Sequence, residues 1–310
     1  MKNEEIKVPS SPEDGKEEKP ITVIFRGSYE DTEDVREVVI PEGIVEIAEN
    51  AFRDFTHLTS VRLPSSVRQV SACAFSGCRN LTRVVFSPGV EELSDEAFSG
   101  CSSLTDISLP DTVRRLGEGC FEGCASLSRV RLSETLTVIG AGAFSYCFNL
   151  RDVSVPDSCV LMEFNVFAGC FGLEAVKLPA EMREVDESLF DGCRSLVTVD
   201  LPTNLYRIGR RAFHGCSSLP MLILPVGVKE IGFDAFSGCR SLARIAIPRG
   251  VREIEDNDVF AGCDALTDIS YGGSREEWES LLHGGTLTVE HSDMTVSVPA
   301  VNCLNLTEEK

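Results

Sequence analysis

Hydrophobic and polar positions along the chain recur with a single period. Phenylalanine stands at Phe52, Phe75, Phe98, Phe121, Phe144, Phe167, Phe190, Phe213 and Phe236, always 23 residues apart, and then at Phe260 after a step of 24. Six residues after each comes a leucine, from Leu58 and Leu81 to Leu242 and Leu266, and three further on a β-branched or aliphatic residue such as Val61, Val84 or Ile107. The unit reads LxxVxLPxxVxxIxxxAFxGC. Apolar residues two apart in VxL share one face of an extended segment, so each unit predicts a short strand. Proline after it, as in Leu63-Pro64 and Leu109-Pro110, withholds a ladder donor and turns the chain. A second apolar pair, such as Val67 and Val70, folds a loop or short helical return segment over the same core. One unit cannot close that core. Stacked copies can, with strands about 4.8 Å apart. The expected fold is a solenoid with a parallel β-sheet of about ten 23-residue repeats.

Such a stack needs atypical ends, because its terminal strands present raw edge and core. Residues 21–40 are expected to form an N-terminal β cap, with Ile21 to Phe25 as a strand and Val35, Val38 and Ile40 opening a partial repeat. The solenoid spans 41–270. From Tyr271 to Leu282 the segment YGGSREEWESLL breaks the period with two glycines and a short helical stretch around Trp278, the only tryptophan. With TLTV and MTVSV as strands it makes a C-terminal cap over 271–303. Residues 1–20, rich in Glu, Lys, Pro and Ser, read as a disordered polar tail, and 304–310 as a second tail.

The repeated AFxGCxxLxxVxLP resembles the BspA-like class of leucine-rich repeats, and YGGSREEW is similar to the element that closes many bacterial members. The resemblance extends over roughly residues 35–282. It implies a leucine-rich-repeat solenoid from a bacterium or similar source that binds a protein or glycoprotein through its exposed strand face, adhesin-like and without enzymatic activity. An intracellular bacterial scaffold is the alternative.

Composition narrows the partners. Of 310 residues 43% are hydrophobic, enough for a proper core, and the formal net charge of −20 disfavours nucleic acid because the field repels phosphate. About half of that excess lies in residues 251–310. No run approaches the roughly 18 apolar residues that span a bilayer, so no membrane insertion is expected. The first twenty residues lack the apolar core of an export signal. That, with many free cysteines, points to the cytoplasm as the chain stands; secretion or the cell surface follows if a signal peptide was removed.

The chain has 13 cysteines. Nine of them, Cys78, Cys101, Cys124, Cys147, Cys170, Cys193, Cys216, Cys239 and Cys263, lie three residues after the repeat Phe. Parallel stacking keeps their Cβ atoms too far apart for an undistorted disulfide, so they read as small buried hydrophobes. Phe55 fills the same slot in the first unit. Four histidines are too scattered for a metal or catalytic cluster; His214 with Cys216 is a possible ligand pair but reads as one unit's loop variation. The extra residue within Glu255-Asp256-Asn257-Asp258 makes an acidic loop that matches no calcium-binding spacing. No catalytic residues, cofactor or metal are expected. The informative positions flank the inward Val of each strand and point outward. There Arg62, Arg83, Arg129 and Arg131 make the early face basic, while Met221 and Ile223, near Ala246, leave an apolar area further on. Exposed Arg and apolar residues are typical hot-spot material, so these six are the candidate binding residues. The partner's identity and the oligomeric state stay open at this level.

Overall fold

The computed structural model describes residues 23–24, 35–255 and 258–281, together with the backbone of the strands Val289–His291, Met294–Val296 and Ala300–Cys303. The two tails, Asp256, Asn257 and His283 lie outside the described residues. The coils fall into two compact units, Met1–Met162 and Glu163–Lys310.

In the first unit each coil carries two strands on different sides. The long strands come from VxL: Glu37–Val39, Ser60–Leu63 and Arg83–Phe86 pair in parallel, Val38 opposite Val61 and Val61 opposite Val84. Asp106–Ser108 and Arg129–Arg131 continue the series, Ile107 opposite Val130. The return segments are turns and a second strand, two residues long, rather than helix. Val23–Ile24, Glu46–Ile47, Gln69–Val70, Glu92–Leu93, Arg115–Leu116, Val138–Ile139 and Leu161–Met162 form one seven-stranded parallel sheet. The reason is the spacing of the return. Val67 and Val70 are both fully buried, which leaves only Arg68 and Gln69 facing out and room for a single ladder step.

The Phe turn is the third side and has a ladder of its own. Phe52, Phe75, Phe98 and Phe121 each donate their N–H to the carbonyl 22 residues on, at 2.7–2.8 Å. The geometry needs left-handed backbone two residues before and two after the Phe. Glycine fills the later position in most coils, with φ from 66° to 75°, because it alone enters that region without a Cβ penalty. Inside, the rings stack nearly parallel: Phe52 on Phe75 at 5.0 Å, Phe75 on Phe98 at 5.1 Å, Phe98 on Phe121 at 5.5 Å. Each such pair adds about 0.5–1.5 kcal/mol beyond its buried area.

The second unit repeats the plan. Ala175–Lys177 pairs with Thr198–Asp200, and Met221–Ile223 with Arg244–Ile247, then Asp268–Tyr271, then Ala300–Cys303, all parallel. Its short strands are Glu184–Val185, Arg207–Ile208, Glu230–Ile231 and Glu253–Ile254. Phe167, Phe190, Phe213, Phe236 and Phe260 stack at 5.3–5.9 Å. At the end the period gives way to a helix, Arg275–Leu281. Ser274 starts it with a reciprocal cap: its hydroxyl accepts from the Glu277 N–H at 3.2 Å, and its own N–H donates to the Glu277 carboxylate at 2.8 Å. Trp278 is buried against Tyr271, rings 5.3 Å apart. Val289–His291 and Met294–Val296 form an antiparallel hairpin.

Candidate functional site

The inward columns leave little that is chemically free. Along the column the thiols donate to the carbonyl of the repeat Phe one coil earlier, from Cys78 to Phe52 at 3.1 Å through Cys124 to Phe98 at 3.3 Å to Cys263 on Phe236 at 3.2 Å. Burial pushes Cys78 and Cys124 up to about 12, so these sulfurs stay protonated and unreactive. All twelve described cysteines are free thiols, and Cys73 alone is not buried.

His214 and Cys216 do not form a pair. Cys216 points inward to the Phe190 carbonyl, while the His214 ring faces out and meets Asp191 at 2.7 Å through Nδ1. Arg211 joins them, donating to Asp191 at 3.0 and 3.2 Å. Burial tends to raise the Asp191 carboxyl, but His214 and Arg211 outweigh it and hold the group below its ordinary value. The trio links adjacent coils, and the backbone N–H groups of His214, Gly215 and Cys216 beside it all donate to backbone carbonyls. Among the described residues no three of His, Cys, Asp and Glu converge to hold a metal ion.

The outward positions of the long strands are where the six predicted residues fall. Arg62, Arg83 and Arg129 are exposed and make no ion pair among the described residues. Arg131 is different. Its guanidinium donates to both oxygens of Asp111, at 3.0 and 3.1 Å, and to the Leu109 carbonyl at 2.8 Å, so its charge is already answered. Backbone N–H donation from Glu134, then the bond from Arg131, lowers the Asp111 carboxyl. Nor is the early face simply basic: Asp106 stands opposite Arg129 on the paired strand and Asp152 follows one coil on. The first unit's face therefore alternates in sign.

In the second unit Met221 and Ile223 are 51% and 64% exposed on one strand, opposite Arg244 and Ala246. Two further apolar residues of this unit that sequence reasoning passed over are exposed: Val197, 47% exposed just before the strand Thr198–Asp200, and Val226, 84% exposed just beyond Met221–Ile223. Their signal was an apolar residue outside the VxL frame. With Met221 and Ile223 they are four large apolar side chains exposed on or just beside the long strands of this unit. The same unit also has an open groove of about 450 Å³ lined by Arg183, Glu184, Asn204, Tyr206 and Gly227. Two of its polar tips are engaged, Tyr206 donating to Glu230 at 3.0 Å and Asn204 to Glu181 at 3.2 Å.

Stacked parallel coils of about 23 residues, with a leucine column inside and a varied strand face outside, define a leucine-rich-repeat solenoid. The model of the BspA type leucine rich repeat region matches residues 22–151 and 137–267, and the chain belongs to that family. A leucine-rich repeat protein from Bacteroides ovatus is 26% identical, with 90% of this chain and 89% of that one covered and a TM-score of 0.51. A leucine rich cell surface protein from Faecalibacterium prausnitzii is 28% identical over 80% and 82% of the two chains, with a TM-score of 0.42. A leucine rich repeat protein of T. pallidum is 29% identical over 71% and 82%, with a TM-score of 0.46. No curated protein matches the chain in sequence. Among the described residues no helix is long and apolar enough to cross a membrane.

Proposed function

We propose that the chain is a non-enzymatic module that binds a protein or glycoprotein through the outer face of its long strands, as an adhesin does. The observation that carries this reading is the apolar strip of the second unit. Met221 and Ile223 are large and exposed on one long strand whose intervening Leu222 is buried in the core, and Val197 and Val226 are exposed just outside the strands Thr198–Asp200 and Met221–Ile223. Burying such residues in a partner gains about 25 cal/mol per Å² removed from water, and charged residues at the edge set orientation. Arg62, Arg83 and Arg129, with Arg131 held by Asp111, are the basic candidates on the first unit's own strand face.

An intracellular scaffold role uses the same strip and is favoured by one further observation. The thiol column donates S–H bonds along its length, an arrangement at home in a reducing compartment. The test presents the immobilised chain, in parallel, to purified extracellular-matrix proteins and to cytosolic proteins of the source bacterium. Met221→Asp with Ile223→Asp serves as control. Capture of a defined protein that the double variant loses, at unchanged melting temperature, supports the strip; equal capture by both removes it. The side on which the partner appears decides between adhesin and scaffold.

A further inference from the structure

On the outer face of the first unit, the first outward position of four consecutive long strands reads Arg83, Asp106, Arg129, Asp152. All four are exposed. Residues 23 apart hold the same place in adjacent coils, as the register of Asp106 opposite Arg129 shows. Opposite charges so placed ordinarily pair along the sheet. Here none of the four enters an ion pair among the described residues; Asp106 accepts only from the Thr105 hydroxyl, at 2.9 Å. The second outward position carries Val85, Ser108, Arg131 and Ser154, and its one charge, Arg131, is held by Asp111. A ladder of four unspent charges of alternating sign thus stands beside a column without an unspent charge.

Such a ladder is complementary to itself. A two-fold axis lying along the strand direction, between the strands of Asp106 and Arg129, reverses the order of coils and keeps each column opposite its own copy. Arg83 then faces Asp152, and Asp106 faces Arg129, each pair occurring twice. In the second column Val85 faces Ser154, and Ser108 faces Arg131. No like charges oppose. A two-fold axis along the stacking direction instead sets Arg83 against Val85 and leaves the ladder unanswered. A ligand of one sign is repelled by half the ladder, so neither a polyanion nor a basic peptide fits as well.

We propose that this face docks a second copy of the chain, antiparallel, through Arg83–Asp152 and Asp106–Arg129 pairs. The inference rests on the strand face being the binding surface and assigns its charged half, whereas the apolar strip belongs to the other partner. Four strands make a small contact, so the dimer is reversible and concentration-dependent.

Sedimentation equilibrium of the full chain tests this. The wild type dimerises as concentration rises. Arg129→Asp alone, or Asp106→Arg alone, sets like charges face to face and weakens association by about ten-fold or more. Mixing the two single variants restores a dimer, because each new carboxylate meets a new guanidinium, and the double variant Asp106→Arg with Arg129→Asp dimerises by itself. Melting curves confirm that every variant is folded. A wild type still monomeric at about 100 μM, where even a weak contact of this size would register, overturns the proposal. So does a dimer indifferent to the single reversals, or one that neither the mixture nor the double variant restores. Met221→Asp with Ile223→Asp leaves the dimer intact, so loss of partner capture and loss of self-association are read separately.

Discussion

Around the repeat phenylalanine one coil is nearly a copy of the next, whereas on the outer face of the long strands no two consecutive coils carry the same pair. The Phe rings stack at 5.0–5.9 Å, the thiols repeat one bond, and glycine after glycine holds φ near 70°. Outside, Ser60 and Arg62 give way to Arg83 and Val85, then Asp106 and Ser108, and in the second unit to Met221 and Ile223. The difference teaches which residues the fold dictates. In the turn, neighbouring coils leave a space that one side chain fits; on the face, packing imposes nothing and the residue is available for recognition.

The comparison breaks first, and hardest, at a stacked ring. Phe98 lies between Phe75 and Phe121 with Phe86 edge-on at 6.0 Å, and it is fully buried. Phe98→Ala is expected to destabilise by about 3–5 kcal/mol, since a ring-sized cavity opens among neighbours that are themselves fixed. Denaturant unfolding followed by circular dichroism measures it, and a loss under about 1 kcal/mol would mean that the column does not hold the coils together. A smaller break is Gly215→Ala. Its Cβ would stand 3.6 Å from Gly192 Cα, an ordinary contact, so the cost comes from φ of 70° alone, about 1–2 kcal/mol by the same measurement. The first unit has already made such a substitution, with Tyr146 at φ of 59° in the glycine position.

Smaller again is the thiol. Cys124→Ala removes a buried sulfur and its bond to Phe98, but that carbonyl keeps the Cys101 N–H at 3.2 Å, so the loss is about 1 kcal/mol. The wild type sharpens the same point: site-resolved alkylation of the folded chain at pH 8 should mark Cys73 well before Cys78 or Cys124, which titrate only near pH 12. Rapid labelling of Cys124 would show that the coils open.

Much of this was legible in the sequence, because a 23-residue period transmits the environment of one residue to all its copies. The Phe, Leu and Cys columns, the long strands and the outward positions all followed from it. What escaped was whatever lies across coils rather than along them. The direction of the thiol bond, the hold of Asp111 on Arg131 and the pairing of His214 with Asp191 join residues 20 to 26 apart, and no periodicity states which partner a side chain turns to. The second sheet escaped because a two-residue strand leaves no alternation to read. Ala300–Cys303, which adds a strand beside Asp268–Tyr271, lies past the last repeat and carries none of its marks.

The smallest expected effect on stability is the one that matters for function. Met221→Asp with Ile223→Asp replaces two side chains that are 51% and 64% exposed and whose removal opens no cavity, so the melting free energy should stay within about 0.5 kcal/mol of wild type. If the pair cost as much as Gly215→Ala, the strip would be part of the core and the contrast between turn and face would fail in the second unit. Unchanged stability together with lost partner capture would place recognition on the face. The packing of each coil already accounts for the Phe, Leu and Cys columns, whereas Met221 and Ile223 keep half or more of their surface in solvent, where a partner can reach it.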